Sequence, residues 1–293
     1  GLDFEALKAQ ARRRDFQPVP LPGASFSTEF DVATSQVTTH NVIARLPGTT
    51  HPDETVLYTA HWDHIGMGEP DATGDRIFNG AVDNASGTAG LLELARMFGQ
   101  APRTERSVVM ISFTGEESGL LGSEYYAVNP VYPLAKTVGG FNMDSMNVYG
   151  RVTGLGVTGY GQSDFDERLA AAIQPQGRVL VPDHENAAGT YYRSDHFPLA
   201  KRGVPMAYAG SRGDFRDEPI AAREAARSEY GAKRYHQAAD EWSPDWDYSG
   251  MIEDLSVFYD VGRALANGRD WPEWKTGSEF GPVRAETAGQ RQD

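Results

Sequence analysis

Apolar and polar positions repeat at a helical spacing in the first segment of the chain, residues 2–14. Three prolines between residues 18 and 22 predict that this helix ends and that an extended connector follows. Apolar and polar residues then alternate over residues 25–39, which is typical of a β-rich segment. We therefore interpret residues 1–40 as an N-terminal helix and connector that packs on the domain behind it.

Apolar strand patterns and amphipathic helix patterns alternate through the middle of the chain. The predicted strands are 41–46, 56–60, 107–113, 138–143, 154–159 and 204–209, and the predicted helices are 87–98, 120–127, 165–173, 195–201 and 247–266. This alternation predicts an α/β fold, a three-layer αβα sandwich with a central mixed, mostly parallel β-sheet. One domain then covers residues 41–268, and residues 269–293 form a loop-like C-terminal tail that frays after about residue 280.

The charge balance and the absence of cysteine narrow the classes of protein that fit. There are 41 acidic against 27 basic residues, a formal net charge of -14, which disfavours binding to nucleic acid or to an anionic membrane. No apolar run approaches the roughly 18 residues that a membrane-spanning helix needs. We therefore expect neither nucleic acid nor membrane as a partner. Because the chain has no cysteine, a metal site would have to use His, Asp and Glu.

Several side chains able to bind metal lie where predicted strands end. They are His61 after the strand 56–60, Glu116 and Glu117 after the strand 107–113, Asp144 after the strand 138–143, and Asp83 just before the helix at residue 87. Any one of them alone would suit a turn or a helix cap. Carboxyl ends of strands meet at one edge of an α/β sheet, however, so these side chains should converge there. Because no Lys or Arg accompanies them, their mutual repulsion predicts a multivalent cation.

Histidine and carboxylate ligands without a thiolate suit Zn²⁺, and less specifically Mn²⁺ or Co²⁺. Two ions would need a bridging carboxylate, and Asp83 lies between the other candidates in sequence. Of Glu116 and Glu117, one would bind metal and the other would deprotonate a water molecule, although spacing leaves open which does which. Asp63, two residues after His61, should accept a hydrogen bond from the second ring nitrogen of that histidine. The side chain of His64 is expected to point elsewhere.

A fifth ligand should come from the remaining histidines. His236 has carboxylates nearby, among them Asp240, which could support it from behind. His184 lies in a polar loop, and His40 and His51 precede the first candidate strand. The residues by themselves do not decide among these histidines.

Six motifs, taken in order along the chain, resemble those of the co-catalytic dizinc aminopeptidase family of clan MH. They are His61-Trp-Asp63-His64, Asn79-Gly-Ala-Val-Asp83-Asn-Ala-Ser-Gly87, Phe113-Thr-Gly-Glu116-Glu117-Ser-Gly-Leu-Leu-Gly-Ser123, Asn142-Met-Asp144, Ser194-Asp195-His196 and Tyr235-His236. The family also includes glutamate carboxypeptidases, the transferrin-receptor ectodomain and glutaminyl cyclases. The resemblance extends from about residue 41 to residue 266, and the motifs are weak singly but specific as an ordered set.

The resemblance implies two zinc ions held by five residues. His61 and Asp144 would hold one ion, Glu117 and His236 would hold the other, and Asp83 would bridge the two. Glu116 would then be the general base. The resemblance also implies that residues 41–268 are a catalytic domain of the zinc-peptidase, phosphorylase/hydrolase-like fold type.

Two further features follow from the same resemblance. The peptide bond between Asp83 and Asn84 is expected to be cis. A tyrosine three residues before the Ser194-Asp195-His196 motif would donate a hydrogen bond to the oxyanion that develops on the substrate carbonyl. This position is Tyr191, with Tyr192 as the close rival.

The implied activity is that of a zinc-dependent exopeptidase, in which a hydroxide held by the two zinc ions attacks a peptide carbonyl. A free α-amine on a peptide substrate would be attracted to the carboxylates of the site, which favours an aminopeptidase. A metallocarboxypeptidase or dipeptidase would need a cationic clamp, for which Arg193, Arg212 and Arg216 are the candidates. A glutaminyl cyclase would use nearly the same motifs with a single zinc. The sequence leaves the oligomeric state open.

Relatives with a Gly-Val-Pro motif such as Gly203-Val204-Pro205 often carry a signal peptide and an inserted domain ahead of the catalytic part. Neither is visible in this sequence, and residues 1–40 resemble the segment that follows such an insert. We therefore expect an exported enzyme, periplasmic or secreted, whose signal peptide is not present in this chain.

Overall fold

The computed structural model describes residues 1–183 and 189–291, and the chain divides into two units, Gly1–Thr38 and Thr39–Asp293. In the first unit, helix α1 (Phe4–Ala11) begins after Asp3, whose carboxylate accepts a hydrogen bond of 3.0 Å from the Ala6 nitrogen. The β-rich prediction for residues 25–39 was wrong, because these residues, all of which the structure describes, form no strand. An alternating pattern becomes a strand only where a neighbouring strand pairs with it.

The second unit contains all of the strands found in the described part of the chain. They are β1 (Val42–Leu46), β2 (His51–His61), β3 (Gly66–Met67), β4 (Ile77–Phe78), β5 (Arg106–Phe113), β6 (Thr137–Asn142), β7 (Val152–Thr158), β8 (Val179–Pro182) and β9 (Met206–Phe215). The helices are α2 (Gly87–Gln100), α3 (Leu121–Val128), α4 (Phe165–Ile173), α5 (His196–Lys201), α6 (Ile220–Glu229), α7 (Ser249–Asn267) and α8 (Gly281–Glu286). All six strands predicted within residues 41–209 are present, with shifted ends.

Seven of the described strands form one sheet in the order β1-β5-β2-β6-β9-β7-β8. The four adjacent strands β5, β2, β6 and β9 run parallel to one another. Strand β1 pairs antiparallel with β5, β7 pairs antiparallel with β9, and the edge strand β8 runs parallel to β7. The predicted mixed, mostly parallel sheet is therefore confirmed. Because β5, β2 and β6 are parallel neighbours, the residues that follow them meet at one edge of the sheet.

Helices cover both faces of this sheet, which confirms the three-layer αβα architecture. Successive residues of a strand point to opposite faces, and in β2 Tyr58 packs in one apolar cluster while Leu57 packs in the other. The first cluster includes side chains of α2, α4 and α7, and the second includes side chains of α3 and α5. In α2, Leu91, Leu94 and Phe98 recur at helical spacing and are buried. The site-bearing edge therefore rests on a packed core.

The C-terminal segment does not fray after residue 280, so that prediction was wrong. Helix α8 begins there, and the buried guanidinium of Arg284 donates hydrogen bonds of 3.0 and 3.1 Å to the carbonyl oxygens of Thr137 and Val138 at the start of β6. Phe280 is buried, and the Trp274 indole donates to the Gly203 carbonyl oxygen at 2.9 Å. This segment is consequently part of the packing around the central sheet.

Some elements were missed from the sequence. They are the hairpin of the two-residue strands β3 and β4, the four-residue edge strand β8, and helices α6 and α8. Helix α6, for example, has no buried residue. Among the described residues, no helix combines the length and the apolar character needed to span a lipid bilayer.

Candidate metal centre

The first ligand position, His61, is the last residue of β2 and is only 1% exposed. Its Nδ1 atom lies 3.1 Å from the main-chain oxygen of Asp63, whereas the nearest Asp63 carboxylate oxygen is 3.8 Å away. The expected hydrogen bond from His61 to the Asp63 carboxylate is therefore replaced by one to the Asp63 backbone. This contact still fixes the ring, so that Nε2 is directed towards the other candidate ligands.

The Asp63 carboxylate has a different task, which is to hold the turn that carries the two glutamates. Its two oxygens accept hydrogen bonds from the main-chain nitrogens of Glu116 and Glu117, at 3.1 and 3.3 Å. This turn directly follows β5, the parallel neighbour of β2. Asp63 thus couples the end of one strand to the ligand-bearing turn of the next.

Asp83 lies in a kinked segment that leads into α2. The peptide bond between Asp83 and Asn84 is cis, as the resemblance implied. The Asn84 side chain joins this segment to the loop after β6: its Nδ2 donates to the Met143 oxygen at 2.9 Å, and its Oδ1 accepts from the Ser145 nitrogen at 3.2 Å. The loops that carry Asp83 and Asp144 are therefore held together.

The carboxylate of Asp240 supports Asp83, and not His236 as the sequence had led us to expect. It accepts hydrogen bonds from the main-chain nitrogens of Val82, at 3.0 and 3.2 Å, and of Asp83, at 3.1 Å. Asp240 is 1% exposed. Like Asp63, it acts as a buried acceptor for the backbone that presents a candidate ligand.

Asp144 is supported by a chain of buried hydrogen bonds that the sequence did not predict. The Ser194 hydroxyl donates to Asp144 Oδ2 at 2.6 Å, the Asn142 amide donates to Ser194 at 2.8 Å, and the Thr59 hydroxyl donates to Asn142 Oδ1 at 2.7 Å. The Ser194-Asp195-His196 motif is the sequence feature that marks this support for Asp144, because it contains the serine. Its serine fixes the orientation of the Asp144 carboxylate.

The five predicted metal ligands converge, and Asp83 lies at their centre. Asp83 Oδ1 is 3.2 Å from His61 Nε2, and Asp83 Oδ2 is 3.2 Å from His236 Nε2. His61 Nε2 is also 3.4 Å from Asp144 Oδ1, and His236 Nε2 is 3.3 Å from Glu117 Oε2. The site thus consists of two groups of donor atoms, one around each imidazole, which share a single carboxylate.

These spacings fit zinc. Two ligand atoms that are each about 2.05 Å from a tetrahedral ion lie about 3.3 Å from one another. The donor pairs here are separated by 3.2 to 3.4 Å. Imidazole nitrogens and carboxylate oxygens are ordinary ligands for Zn²⁺, and the group of His61, Asp83 and Asp144 is buried enough to exclude much of the solvent. The donor set is consistent with one ion in each group.

The electrostatics of the site indicate an excess of negative charge. Burial acts to lower the pKa of His61, but hydrogen bonds to Asp144 and Asp83 outweigh it and raise that pKa to about 12. Burial, reinforced by the Asp144 carboxylate, raises the pKa of Glu116 to about 9. The Asp144 carboxylate contributes to both shifts, since a nearby negative charge favours a protonated imidazole and disfavours a second carboxylate. A cation placed among these groups would offset that charge.

The side chain of His64 points towards the candidate metal ligands, and not away from them as the sequence analysis predicted. Its Nδ1 is 2.6 Å from Glu117 Oε1, and its side chain is 7% exposed. The expectation that this side chain points elsewhere was therefore wrong. A separation of 2.6 Å is short for two atoms bound to one zinc ion. The two atoms do not meet in hydrogen-bond geometry, so His64 contacts one oxygen of Glu117 at ion-pair distance while the other oxygen faces His236.

The remaining histidines that had been weighed as a fifth ligand are distant or outside the described residues. His51 begins β2, at the opposite end of the strand from His61. The main-chain oxygen of His40 accepts a hydrogen bond from the Trp62 indole at 3.1 Å. His184 lies outside the described residues. His236, in a left-handed backbone conformation (φ 58°), is the one that reaches Asp83 and Glu117.

A cavity of about 610 Å³ opens onto the two groups of donor atoms. Its wall includes Glu116 and four tyrosines, namely Tyr192, Tyr208, Tyr230 and Tyr235. Tyr235 stacks on the candidate ligand His236, with ring centroids 3.9 Å apart. Carboxylates and phenol groups therefore line the same cavity.

The structure does not place Tyr191 in the wall of this cavity. Its ring packs against His196 and Phe280, with centroids 4.7 and 5.8 Å apart, and its hydroxyl is buried without a hydrogen-bond partner among the described residues. The rival Tyr192 does line the cavity. Spacing from the Ser194-Asp195-His196 motif therefore selected a packing residue, because it could not reveal which way each ring turns.

Comparison with known proteins assigns the chain to a family. Residues 41–259 match the model of peptidase family M28. The chain belongs to this family. The match begins and ends close to the limits of the ordered motifs, and the M28 assignment confirms the resemblance to clan MH peptidases.

Three M28-like proteins illustrate the similarity. The chain is 30% identical over 205 residues to leupeptin-inactivating enzyme 1 of Streptomyces exfoliatus, covering 69% of this chain and 42% of the relative. It is 33% identical over 161 residues to aminopeptidase YwaD of Bacillus subtilis, covering 54% of this chain and 32% of the relative. The solved structure of BSAP, a zinc aminopeptidase from Bacillus subtilis, is 22% identical with a TM-score of 0.55, covering 82% of this chain and 52% of that chain.

The chain spans less than half the length of the two curated relatives named here. The similarity to BSAP, at 22% identity, shows the fold.

Proposed function

We propose that the protein is a zinc-dependent aminopeptidase that binds two zinc ions and releases N-terminal residues from peptides. The observation that carries this proposal is the position of Asp83, whose two carboxylate oxygens each lie 3.2 Å from a different imidazole. Membership of peptidase family M28 supports a peptidase, and the names of YwaD and BSAP support an aminopeptidase.

In this proposal, His61 and Asp144 hold one ion, Glu117 and His236 hold the second, and Asp83 is shared. Bound there, zinc would supply Lewis-acid polarisation of the substrate carbonyl and would make water easier to deprotonate. The chain's own contribution is to fix the ligands: Asp63 and Asp240 hold the backbone of the ligand loops, and the Ser194 hydroxyl orients the Asp144 carboxylate.

Glu116 carries the proton in the proposed reaction. It lines the cavity beside the ligand Glu117, and its own side chain belongs to neither group of ligand atoms. Glu116 takes a proton from water as the water oxygen bonds to the carbonyl carbon. When the carbon–nitrogen bond breaks, Glu116 returns that proton to the leaving amine, so the base is regenerated.

We assign to Tyr235, in place of Tyr191, the role of donating a hydrogen bond to the substrate oxyanion. It lines the cavity, and its stacking on His236 fixes the ring beside a metal ligand. Burial raises the pKa of Tyr235 to about 12, so its hydroxyl stays protonated and can donate at neutral pH. A donor that is already in position stabilises the negative charge that develops on the carbonyl oxygen.

The charge of the cavity favours peptides with a free α-amine. Asp83, Glu116, Glu117 and Asp144 all contribute to its wall. Two divalent cations would offset four negative charges, and other carboxylates such as Asp63 and Asp195 lie nearby and act on Glu116 or its neighbours. A substrate ammonium would therefore be attracted to the rim of the site.

The Glu116→Gln variant tests the assignment of the base. We expect it to retain bound zinc and its fold but to hydrolyse an aminoacyl-p-nitroanilide at least about 100-fold more slowly, because general acid–base catalysis of this kind contributes about 10²- to 10⁴-fold. Glu224→Gln, an exposed substitution outside the cavity, is the matched control. A wild-type rate for Glu116→Gln would mean that another group takes the proton.

A further inference from the structure

Arg193 is the only Lys or Arg in the wall of the cavity, as far as the described residues show. It follows the short turn Thr190–Tyr192 and immediately precedes Ser194, whose hydroxyl donates to Asp144 at 2.6 Å. That hydrogen bond anchors the backbone next to Arg193 directly beside the metal site. A cationic side chain is thereby tethered at the edge of an otherwise acidic cavity.

The guanidinium of Arg193 is exposed and has no ion-pair or hydrogen-bond partner among the described side chains. This is notable because four carboxylates line the same cavity and the chain as a whole has 41 acidic residues. Arg193 therefore contributes a cation to the wall of the cavity, and its side-chain donors have no partner among the described residues.

The other two arginines that had been considered for a cationic clamp are engaged elsewhere. Arg216 donates to the Gln176 main-chain oxygen at 2.8 Å and pairs with the Glu253 carboxylate. Arg212 lies in β9 beside Gly156 of β7, away from the cavity wall. Only Arg193 of the three can meet a ligand in the cavity.

We infer that Arg193 makes the site selective for short peptides that carry a carboxylate close to the scissile bond. A guanidinium presents N–H donors in a planar fork that matches the two oxygens of a carboxylate, and such charge-assisted pairs are stronger than neutral ones. The substrate carboxylate is either the C-terminus of a dipeptide or the acidic side chain of the N-terminal residue. This inference rests on the proposed aminopeptidase function, because it concerns the same cavity.

The test compares two pairs of nearly isosteric substrates that differ by one carboxylate. The first pair is the dipeptide Ala-Gly and its C-terminal amide, and the second is glutamyl- and glutaminyl-p-nitroanilide. For the zinc-loaded wild-type protein we expect kcat/KM to be at least about tenfold higher for the carboxylate in one of the pairs, since a charge-assisted pair with the guanidinium is stronger than a bond to the neutral amide. A preference within the first pair would show that Arg193 binds the C-terminus of a dipeptide, and a preference within the second would show that it binds an acidic side chain of the N-terminal residue.

Variants assign the preference to Arg193. We expect Arg193→Gln to bring the ratio of carboxylate to amide close to one, and Arg193→Lys to give an intermediate ratio because it keeps the charge but loses the fork. Arg212→Gln is the matched control and should keep the wild-type ratio. A ratio within one preparation does not depend on how much of the variant is folded, so partial misfolding does not obscure the result.

Each remaining outcome separates the inference from the proposed function. If the wild-type protein hydrolyses these substrates but prefers neither carboxylate, the inference is overturned while the aminopeptidase assignment stands. If the preference persists in Arg193→Gln, another group binds the carboxylate and the inference is again overturned. If none of the four substrates is hydrolysed, and neutral aminoacyl-anilides are not hydrolysed either, the proposed function itself fails.

Discussion

At the scale of single residues, the site depends on carboxylates that are given distinct tasks by their surroundings. Asp83 offers one oxygen to each imidazole, whereas Asp63 and Asp240 turn both of their oxygens towards main-chain nitrogens. Chemically identical side chains thus have two different tasks: one faces both imidazoles, and the other two hold the backbone of neighbouring loops.

Removing the hydroxyl group of Tyr235 or of Tyr191 should have different effects on kcat. Tyr235→Phe removes a hydroxyl from the cavity and should reduce kcat for an aminoacyl-p-nitroanilide by about 10- to 1,000-fold with a smaller change in KM, because the interaction forms as the oxyanion develops. Tyr191→Phe removes a buried hydroxyl that has no partner among the described residues and should leave kcat within about twofold. Steady-state kinetics of the two variants measure this. The reverse ranking would return the role to Tyr191.

His196 makes stability depend on pH. It is fully buried, and burial lowers its pKa to about 3, although the Asp144 charge acts in the other direction. The unfolded chain takes up a proton at this residue below pH 6.5 while the folded chain does not, so the free energy of unfolding falls as pH decreases from about 6.5 towards 3.

For the metal-free protein, this single group should lower the free energy of unfolding by about 2 kcal/mol between pH 7 and pH 5. Urea unfolding of wild type and His196→Gln at both pH values isolates the contribution, because other titrating groups are common to both proteins. The variant should lose about 2 kcal/mol less than wild type over this interval. An equal loss in both would show that His196 is protonated in the folded state.

The sequence predicted the roles of the residues that lie near the carboxyl ends of strands. His61, Asp83, Glu117 and Asp144 follow from that rule together with the ordered motifs, and they converge as predicted. The orientations of Asp63, His64 and Tyr191 did not follow, because each depends on a side-chain rotation that neighbouring segments decide. Packing partners far away in sequence leave no local pattern.

At the scale of elements, the sheet order explains why distant parts of the sequence meet. Strands β5, β2 and β6 are parallel neighbours, so the turn after β5, His61 at the end of β2 and the loop after β6 lie side by side. Helix α2 then brings Asp83 to the same edge. Buried apolar runs such as residues 107–113 made these strands recognisable in the sequence.

Elements without a buried face were harder to predict. Helix α6 has no buried residue, so no apolar face marks it in the sequence, although its Ala, Arg and Glu residues favour a helix. Conversely, residues 25–39 have the alternation of a strand but no strand to pair with in the described structure. Local pattern is a guide to secondary structure only when it coincides with burial in the tertiary fold.

Helix α8 should contribute measurably to the stability of the sheet. In Arg284→Ala the carbonyl oxygens of Thr137 and Val138 lose a buried donor, and a cavity forms where the side chain lay. We expect the free energy of unfolding to fall by about 3 kcal/mol, as is typical when a buried hydrogen-bonded network is broken. Denaturant unfolding followed by circular dichroism measures this change.

The control for this experiment is Arg14→Ala, an exposed arginine of the first unit, which should change stability by less than about 0.5 kcal/mol. If Arg284→Ala were as stable as this control, the C-terminal segment would not be docked on β6 under the conditions of the measurement. The prediction that this segment frays would then hold after all.

At the scale of the whole molecule, the net charge is -14, and four of the carboxylates are crowded together in the wall of the cavity. Such crowding is stable only with a compensating cation, which links metal binding to folding: any ion that binds only the folded chain stabilises it. Export and the packing of residues 1–40 on the catalytic domain stay predictions from the sequence.

The central claim is that one carboxylate, Asp83, is shared by two zinc ions. Its most direct test is to dialyse the metal-free protein against a zinc buffer and to measure bound zinc per chain by elemental analysis. The account predicts about two zinc ions per chain, with both lost or severely weakened in Asp83→Asn because each group of ligands then lacks a charged oxygen. A wild-type content of one ion or none would contradict it.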